Sequence, residues 1–164
     1  PGWNETKAEF ETTVQCSIQS LHKSLIKSKH TALLDATVAK PDAEDLAPKY
    51  ISSLAKLFSQ LSLWMTSETD SAINKLLICE LNSSWTQSIL KSRFNQWSAF
   101  QLDRQIRTIA VHFADKFGVA WKQEQFGPIL DLASVLISES REEASSMNVK
   151  GIEMERLWQL RSDW

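Results

Sequence analysis

The chain has 164 residues, 18 of them basic and 20 acidic, for a formal net charge of −2, and it contains only 4 glycines and 4 prolines. A chain of this length buries roughly 70% of its unfolded surface, so it folds without needing a disulfide or a metal. The near-neutral charge excludes a basic field for nucleic acid and a polyacidic tail, and so few turn formers exclude an all-β protein.

The opening, PGWNETKAEF, reads as a cut from a longer protein. Asn4 or Thr6 can cap a first helix, with Phe10, Val14, Ile18, Leu21 and Leu25 on one stripe and Ala32 and Ala36 roughly continuing it. Lys23, Lys27 and Lys29 lie off that stripe, as a solvated face requires. Pro41 stops the helix, because the residue before proline avoids the α region. Residues 41–48, PDAEDLAP, form a link. Pro48 suits the first turn of a second helix carrying Ile51, Leu54, Phe58 and Leu61.

A third helix begins near Ser67, where SETD offers a capping hydroxyl and acids for the first turn, and runs to about Phe94. Ile73, Leu77, Leu81, Trp85 and Ile89 keep a four-residue step along it. A fourth runs from Ala99 to about Phe117, with Leu102, Ile106, Ile109 and Phe113 on one face. Ser92, Asn95 and Ser98 form a polar joint between the two. Gly118 can close the fourth helix in a left-handed cap. A fifth stretch covers Trp121 to Ile137 and is expected to kink or split at Gly127-Pro128. Short helices are expected over Glu139–Met147 and Ile152–Arg161, separated by a break at Val149–Gly151. Hydrophobic periods of 3 and 4 persist from Phe10 to Leu136 with no period-2 run, so the fold is all-α. The expected form is an antiparallel helical bundle or rod segment over residues 1–118, with a small C-terminal helical unit over 119–164 packed on it as a cap.

Few residues here carry chemistry. His22 and His30 are two helical turns apart, too far for a shared metal, and His112 has only Asp115 nearby. A carboxylate-bridged metal bundle needs Glu-x-x-His pairs. Gln19, Lys27 and Ile109 occupy the position three before each histidine. No GxSxG elbow and no phosphate-binding glycine loop occurs. Glu142, Glu143, Glu153 and Glu155 sit at helix starts, where acids stabilise the positive end of the dipole. Cys16 and Cys79 each lie inside an apolar helical pattern and read as buried free thiols. No apolar run approaches the length of a membrane span. Catalytic, cofactor and metal residues are therefore all assigned as none. The candidate structural or interaction residues are Trp97 in the joint, Glu153, Trp158 and Arg161 in the last helix, and Asp103 and Arg107, an acid-first i, i+4 surface pair.

The stretch ILKSRFNQWSAFQLDRQIRTI (Ile89 to Ile109) carries an aliphatic-Leu-Lys-Ser, then Phe94-Asn95, then Gln101, Asp103 and Arg107. It resembles the C-terminal region of subunit four of the conserved oligomeric Golgi (COG) complex. Upstream, KAEFETTVQCSIQSLHKSLIKSKHTALLDATVAKP is similar to that family's long helix ending at Lys-Pro. Downstream, Trp121, Phe126, Leu132-Ala133 and Val135-Leu136 fit its next helix pair, and WQLRSDW resembles its closing Leu-Arg-x-Asp-aromatic. The family resemblance also implies a terminal cap held by a buried Arg–Glu pair. Glu153 matches the acid, but Pro128 stands at the arginine's place. Glu153 is then expected to turn to Arg156, Arg161 or solvent, because a buried unpaired carboxylate is costly. Docking of the last helix is expected to rest on apolar contact and on Trp158.

The resemblance implies a vesicle-tethering subunit on the cytosolic face of the Golgi membrane, peripheral and held through its partners. Those partners would be the other tethering-complex subunits and SNARE or SNARE-regulating proteins. Its role would be retrograde intra-Golgi transport by protein–protein interaction, with no cofactor and no nucleic acid. The alternative is a secreted four-helix-bundle-like ligand, which the two cysteines and the glycosylation triplets Asn4-Glu5-Thr6 and Asn82-Ser83-Ser84 favour. A Cys16–Cys79 disulfide would decide for it.

Overall fold

The structure is a computed structural model that describes residues 2–21, 23–24, 32, 46–63, 66–147, 149 and 152–164. Expectations that rest on His22, Leu25, Lys27, Lys29, His30, Ala36, Pro41, Trp64 and Gly151 lie outside the described residues. Seven helices occur among those described: α1 (Gly2–Leu21), α2 (Ala47–Ser62), α3 (Ser67–Ile89), α4 (Gln96–Phe117), α5 (Val119–Leu136), α6 (Arg141–Ser146) and α7 (Met154–Trp158). The fold is all-α. Its one extended pairing among the described residues is an isolated parallel bridge between Phe94 and Arg161.

Side-chain registers give the helix directions. Tyr50 meets Trp85, and Ser62 donates to Asp70, so α2 and α3 run in opposite directions. The Ala47 N–H donates to Gln105 Oε1, and Phe58 meets Phe113, so α2 and α4 run the same way. Phe113 stacks on Phe126, and Arg107 reaches Ser134, so α4 and α5 form an antiparallel hairpin. With α3 packed on α5, these four helices form a ring in the order α2, α3, α5, α4, while α1 lies against α3. Consecutive helices α3 and α4 thus occupy opposite corners, and residues 90–95 cross one end of the bundle to connect them.

The four-residue step of α3 ends inward: Leu77, Leu81, Trp85 and Ile89 are fully buried, and Ile73 packs at the margin. On α4, Ala99, Leu102, Ile106, Ile109 and Phe113 form the inner face. Each such aliphatic side chain contributes about 1.5–3 kcal/mol of transfer free energy. Buried apolar contact continues without a gap from Ala47 to Leu160. Among the stripe residues of α1 whose side chains are described, Val14 packs against the core and Phe10 does not. Phe10 and Trp3 are exposed, and among the described helices α1 has substantial contact only with α3.

Several boundaries differ from the sequence pattern. Helix α5 runs unbroken through Pro128. Proline removes the hydrogen bond to the carbonyl four residues back, here that of Glu124, and both residues are exposed, so water can serve the freed carbonyl. Helix α3 stops at Ile89, and α4 begins at Gln96 rather than Ala99. Gly118 takes φ 94° and ψ 157°, a positive-φ turn from α4 directly into α5 rather than a left-handed helical cap. That φ alone requires glycine, since a Cβ there would meet open space.

Candidate functional site: the bundle-end joint and its clip

The polar joint ends where Asn95 and Ser98 make a reciprocal cap. Asn95 Oδ1 accepts from the Ser98 N–H at 2.8 Å, and the Asn95 N–H donates to Ser98 Oγ at 3.0 Å. Two of the orphan donors that open a helix are satisfied this way, which starts α4 one turn early. Phe94, just before it, is a buried plug with its backbone at the bundle end. Chain from 68 residues further on completes its hydrogen bonds. The Phe94 N–H donates to Leu160 O at 2.6 Å, and Phe94 O accepts from both the N–H and the hydroxyl of Ser162.

This extended segment carries Arg161, whose side chain is only 2% exposed. One guanidinium nitrogen donates to the backbone carbonyls of Leu136 and, at 3.1 Å, Ser138. Its Nε donates to Asp163 Oδ1 at 2.7 Å, and its far nitrogen donates to Oδ2 at 3.2 Å. Asp163 Oδ2 in turn accepts from the Gln96 N–H at 2.8 Å. Arg161 therefore supplies positive charge and donors to the carbonyl end of α5, while Asp163 supplies negative charge to the amide end of α4. Both placements follow the helix dipole. The Trp164 ring lies 4.8 Å from the Arg161 guanidinium, and Arg141 donates to the Trp164 carbonyl at 3.2 Å.

The remaining sequence candidates fall into two groups. Trp158 stands beside the clip, half-buried, with the Arg141 guanidinium 5.8 Å from its ring and its indole N–H without a partner. Leu157 and Leu160 are the buried anchors of this unit. Glu153 is exposed and precedes α7 without capping it. Arg161 is spoken for by Asp163, so of the outcomes expected for Glu153 the structure shows solvent. We expect Trp158→Ala to cost about 2 kcal/mol, a half-buried ring losing less than the 3–5 of a core one. Glu153→Gln should change stability by less than about 0.5 kcal/mol. Hydrogen exchange of the Leu157 and Leu160 amides in both variants checks this, and faster exchange in Glu153→Gln alone would refute it.

Asp103, Arg107 and Trp97 lie on the outside of α4. Arg107 Nε donates to both oxygens of Asp103, the nearer at 2.7 Å, and its NH2 reaches Ser134 Oγ on α5 at 3.3 Å. The arginine side chain is 52% exposed, so replacing both residues by alanine should cost under about 1 kcal/mol. A chemical denaturation midpoint measures it, and a much larger loss would show that the Ser134 contact organises the hairpin.

The resemblance marked Asp163 in the closing Leu-Arg-x-Asp, but not its role or the backbone carbonyls and amide that it and Arg161 serve. The usable signal was helical: α5 ends at Leu136 with carbonyls that need donors. Among the described residues the thiols are not set up for reaction. Cys79 donates to Gln125 Oε1, and burial, then Glu124 and Glu80, push its thiol above the usual range, away from the reactive thiolate. Cys79 is half-buried and Cys16 exposed, so neither is the fully buried thiol expected, and both are unbridged. Asn82, in one glycosylation triplet, is buried with its amide donating to the Gln125 carbonyl. No group of three or more metal-capable side chains occurs among the described residues, and no helix there is long and apolar enough to cross a membrane.

No protein of curated function and no solved structure matches the chain. The family described as conserved oligomeric Golgi complex subunit 4, C-terminal, matches residues 3–163. That span takes in the joint, the Asp103–Arg107 pair and the Leu-Arg-Ser-Asp clip, so the chain belongs to the C-terminal family of subunit 4 of the conserved oligomeric Golgi complex.

Proposed function

We propose that the chain is an interaction segment of a vesicle tether that works in retrograde transport within the Golgi by protein–protein contact, without catalysis. The match to the subunit 4 family over residues 3–163 carries the reading. In this reading it sits on the cytosolic face of the Golgi membrane as a peripheral protein. The other subunits of the complex hold it there, and it engages SNARE or SNARE-regulating proteins. Residues 119–164, whose first helix α5 completes the four-helix ring, close the bundle end with α6, α7 and the clip, with Trp158 at the docking rim. Two features support a docking role: a bundle with one continuous buried core, and a bundle end tied by the Arg161–Asp163 clip.

The test is to deplete the protein from cells and return the full-length form with or without residues 3–163. Recovery of sister subunits and the position of Golgi-resident glycosylation enzymes are then followed. Only the intact form should keep those enzymes in the Golgi. Normal enzyme retention without the segment would overturn the reading.

A further inference from the structure

Helix α4 carries two apolar seams on opposite sides. The inner one is Ala99, Leu102, Ile106, Ile109 and Phe113, with steps of 3, 4, 3 and 4, and it is buried in the bundle. The outer one is Trp97, Phe100, Arg104, Arg107 and Val111, with the same steps, and it faces out. Trp97 is 51% exposed, Phe100 47% and Val111 51%. A 3–4 repeat presents a straight line of side chains along a helix, and its natural complement is a second helix. The fifteen residues from Trp97 to Val111 run about 21 Å, roughly four turns.

The centre of the seam is cationic. Arg104 is exposed and makes no ion pair among the described residues. Arg107 stands out from the surface, and its position is fixed by Asp103 and Ser134. Asp103 itself is only 13% exposed, so it offers little negative charge outward. An occupant therefore needs apolar side chains toward its ends and carboxylates at the middle. A second copy of this seam would bring arginine against arginine, which disfavours self-association.

We propose that the outer seam of α4 docks an acidic amphipathic helix from a partner chain, with Trp97, Phe100 and Val111 as apolar anchors and Arg104 and Arg107 setting register and partner choice. The aromatic anchors and the arginine are the side chains that dominate such interfaces. A charged pair in the middle of an otherwise apolar seam is a register device, since any slip leaves a charge against apolar surface. The proposal rests on the tethering reading, because it names the kind of partner segment that this face would hold.

The experiment places the photo-crosslinking amino acid p-benzoylphenylalanine at Phe100 of the full-length protein within the assembled complex. After illumination, the attached peptide is sequenced by mass spectrometry. The expected product is a helical segment of another chain with apolar residues at 3–4 spacing and a central Asp or Glu. Arg104→Glu should cut its yield at least about tenfold, because like charges then face each other. Changing the partner's central acid to lysine should restore it. Arg104 is exposed, so a circular dichroism melt of the variant should match that of the parent. Attachment to a second copy, to lipid, or to a segment without carboxylates overturns the proposal, and so does a yield that ignores Arg104→Glu. Co-purification of the sister subunits is read on the same samples. Intact co-purification without the expected attachment sinks the seam and leaves the tethering reading standing. Loss of co-purification in the unmodified protein sinks both.

Discussion

Replacing Phe113 with alanine is expected to destabilise the protein by about 3–5 kcal/mol, the range for deleting a core phenylalanine. The ring is buried where three helices meet. It lies 6.2 Å from Phe58 on α2, 6.1 Å from Phe126 on α5 and 6.3 Å from Phe117 on its own helix. Phe58 meets it edge-on and Phe126 is stacked, so the cavity left by alanine is walled by rings that cannot collapse into it without losing their own geometry. A loss of that size is a large share of the 5–15 kcal/mol that holds a typical domain together. Equilibrium denaturation of the variant measures it. A loss below about 1 kcal/mol would mean that α2, α4 and α5 do not share one core. Phe113→Leu should recover part of the loss, because it refills volume.

Replacing Arg161 with alanine should cost about 2–3 kcal/mol, mostly because the buried Leu136 carbonyl loses its donor, while the Ser138 carbonyl keeps only the Trp164 indole N–H at 3.4 Å. Arg161→Lys should rescue little, since one ammonium cannot span two carbonyls and a carboxylate as the planar fork does. The loss should be largest at the bundle end, with the Phe94 and Gln96 amides exchanging faster while those of α3 hold. Equal acceleration throughout would refute a local role. Hydrogen bonds from Arg161, then from the Gln96 amide, keep the Asp163 carboxyl below the usual carboxylate range despite partial burial. A depressed folded pKa gives stability that is present above the unfolded value, near 3.9, and is lost as pH falls through the folded value. The side chain is 37% exposed, so solvent moderates the effect. The stability difference between the parent and Asp163→Asn should therefore shrink on acidification below pH 4. A difference that stays constant from pH 6 to pH 2 would contradict this.

Sequence periodicity found the helices whose inner face is continuous. The four-step run from Ile73 to Ile89 and the 3–4 run from Leu102 to Phe113 both go inward, because an apolar stripe that wide has one way to leave water. The resemblance carried by Ile89 to Ile109 and WQLRSDW led to the family that the comparison shows. Helix α4 starts early because its cap uses Ser98 rather than the Glu or Gln that marks a capping box by eye. Pro128 looked like a break because periodicity says nothing about whether an orphaned carbonyl faces water. The clip was illegible for a stronger reason. Arg161 serves backbone carbonyls, which every residue has, and Asp163 serves a backbone amide, so no side-chain pattern points to either partner. The outer seam was half visible: Trp97 and the Asp103–Arg107 pair stood out, but Phe100, Arg104 and Val111 were not read with them as one line, because two arginines interrupt its apolar pattern.

The pairing of Ser162 with Phe94 also has a bearing on time. It closes a loop of 68 residues, and bringing such distant ends together costs about 4 kcal/mol of chain entropy before any contact repays it. The α4–α5 hairpin, turning on the single residue Gly118, has no comparable wait. We expect the clip to close after the rate-limiting step, since its long loop must meet that entropy first. Weakening the clip should then leave the folding rate nearly unchanged and raise the unfolding rate by almost the whole of the lost stability. Arg161 is thus a latch on how long the folded bundle lasts rather than on how quickly it is reached.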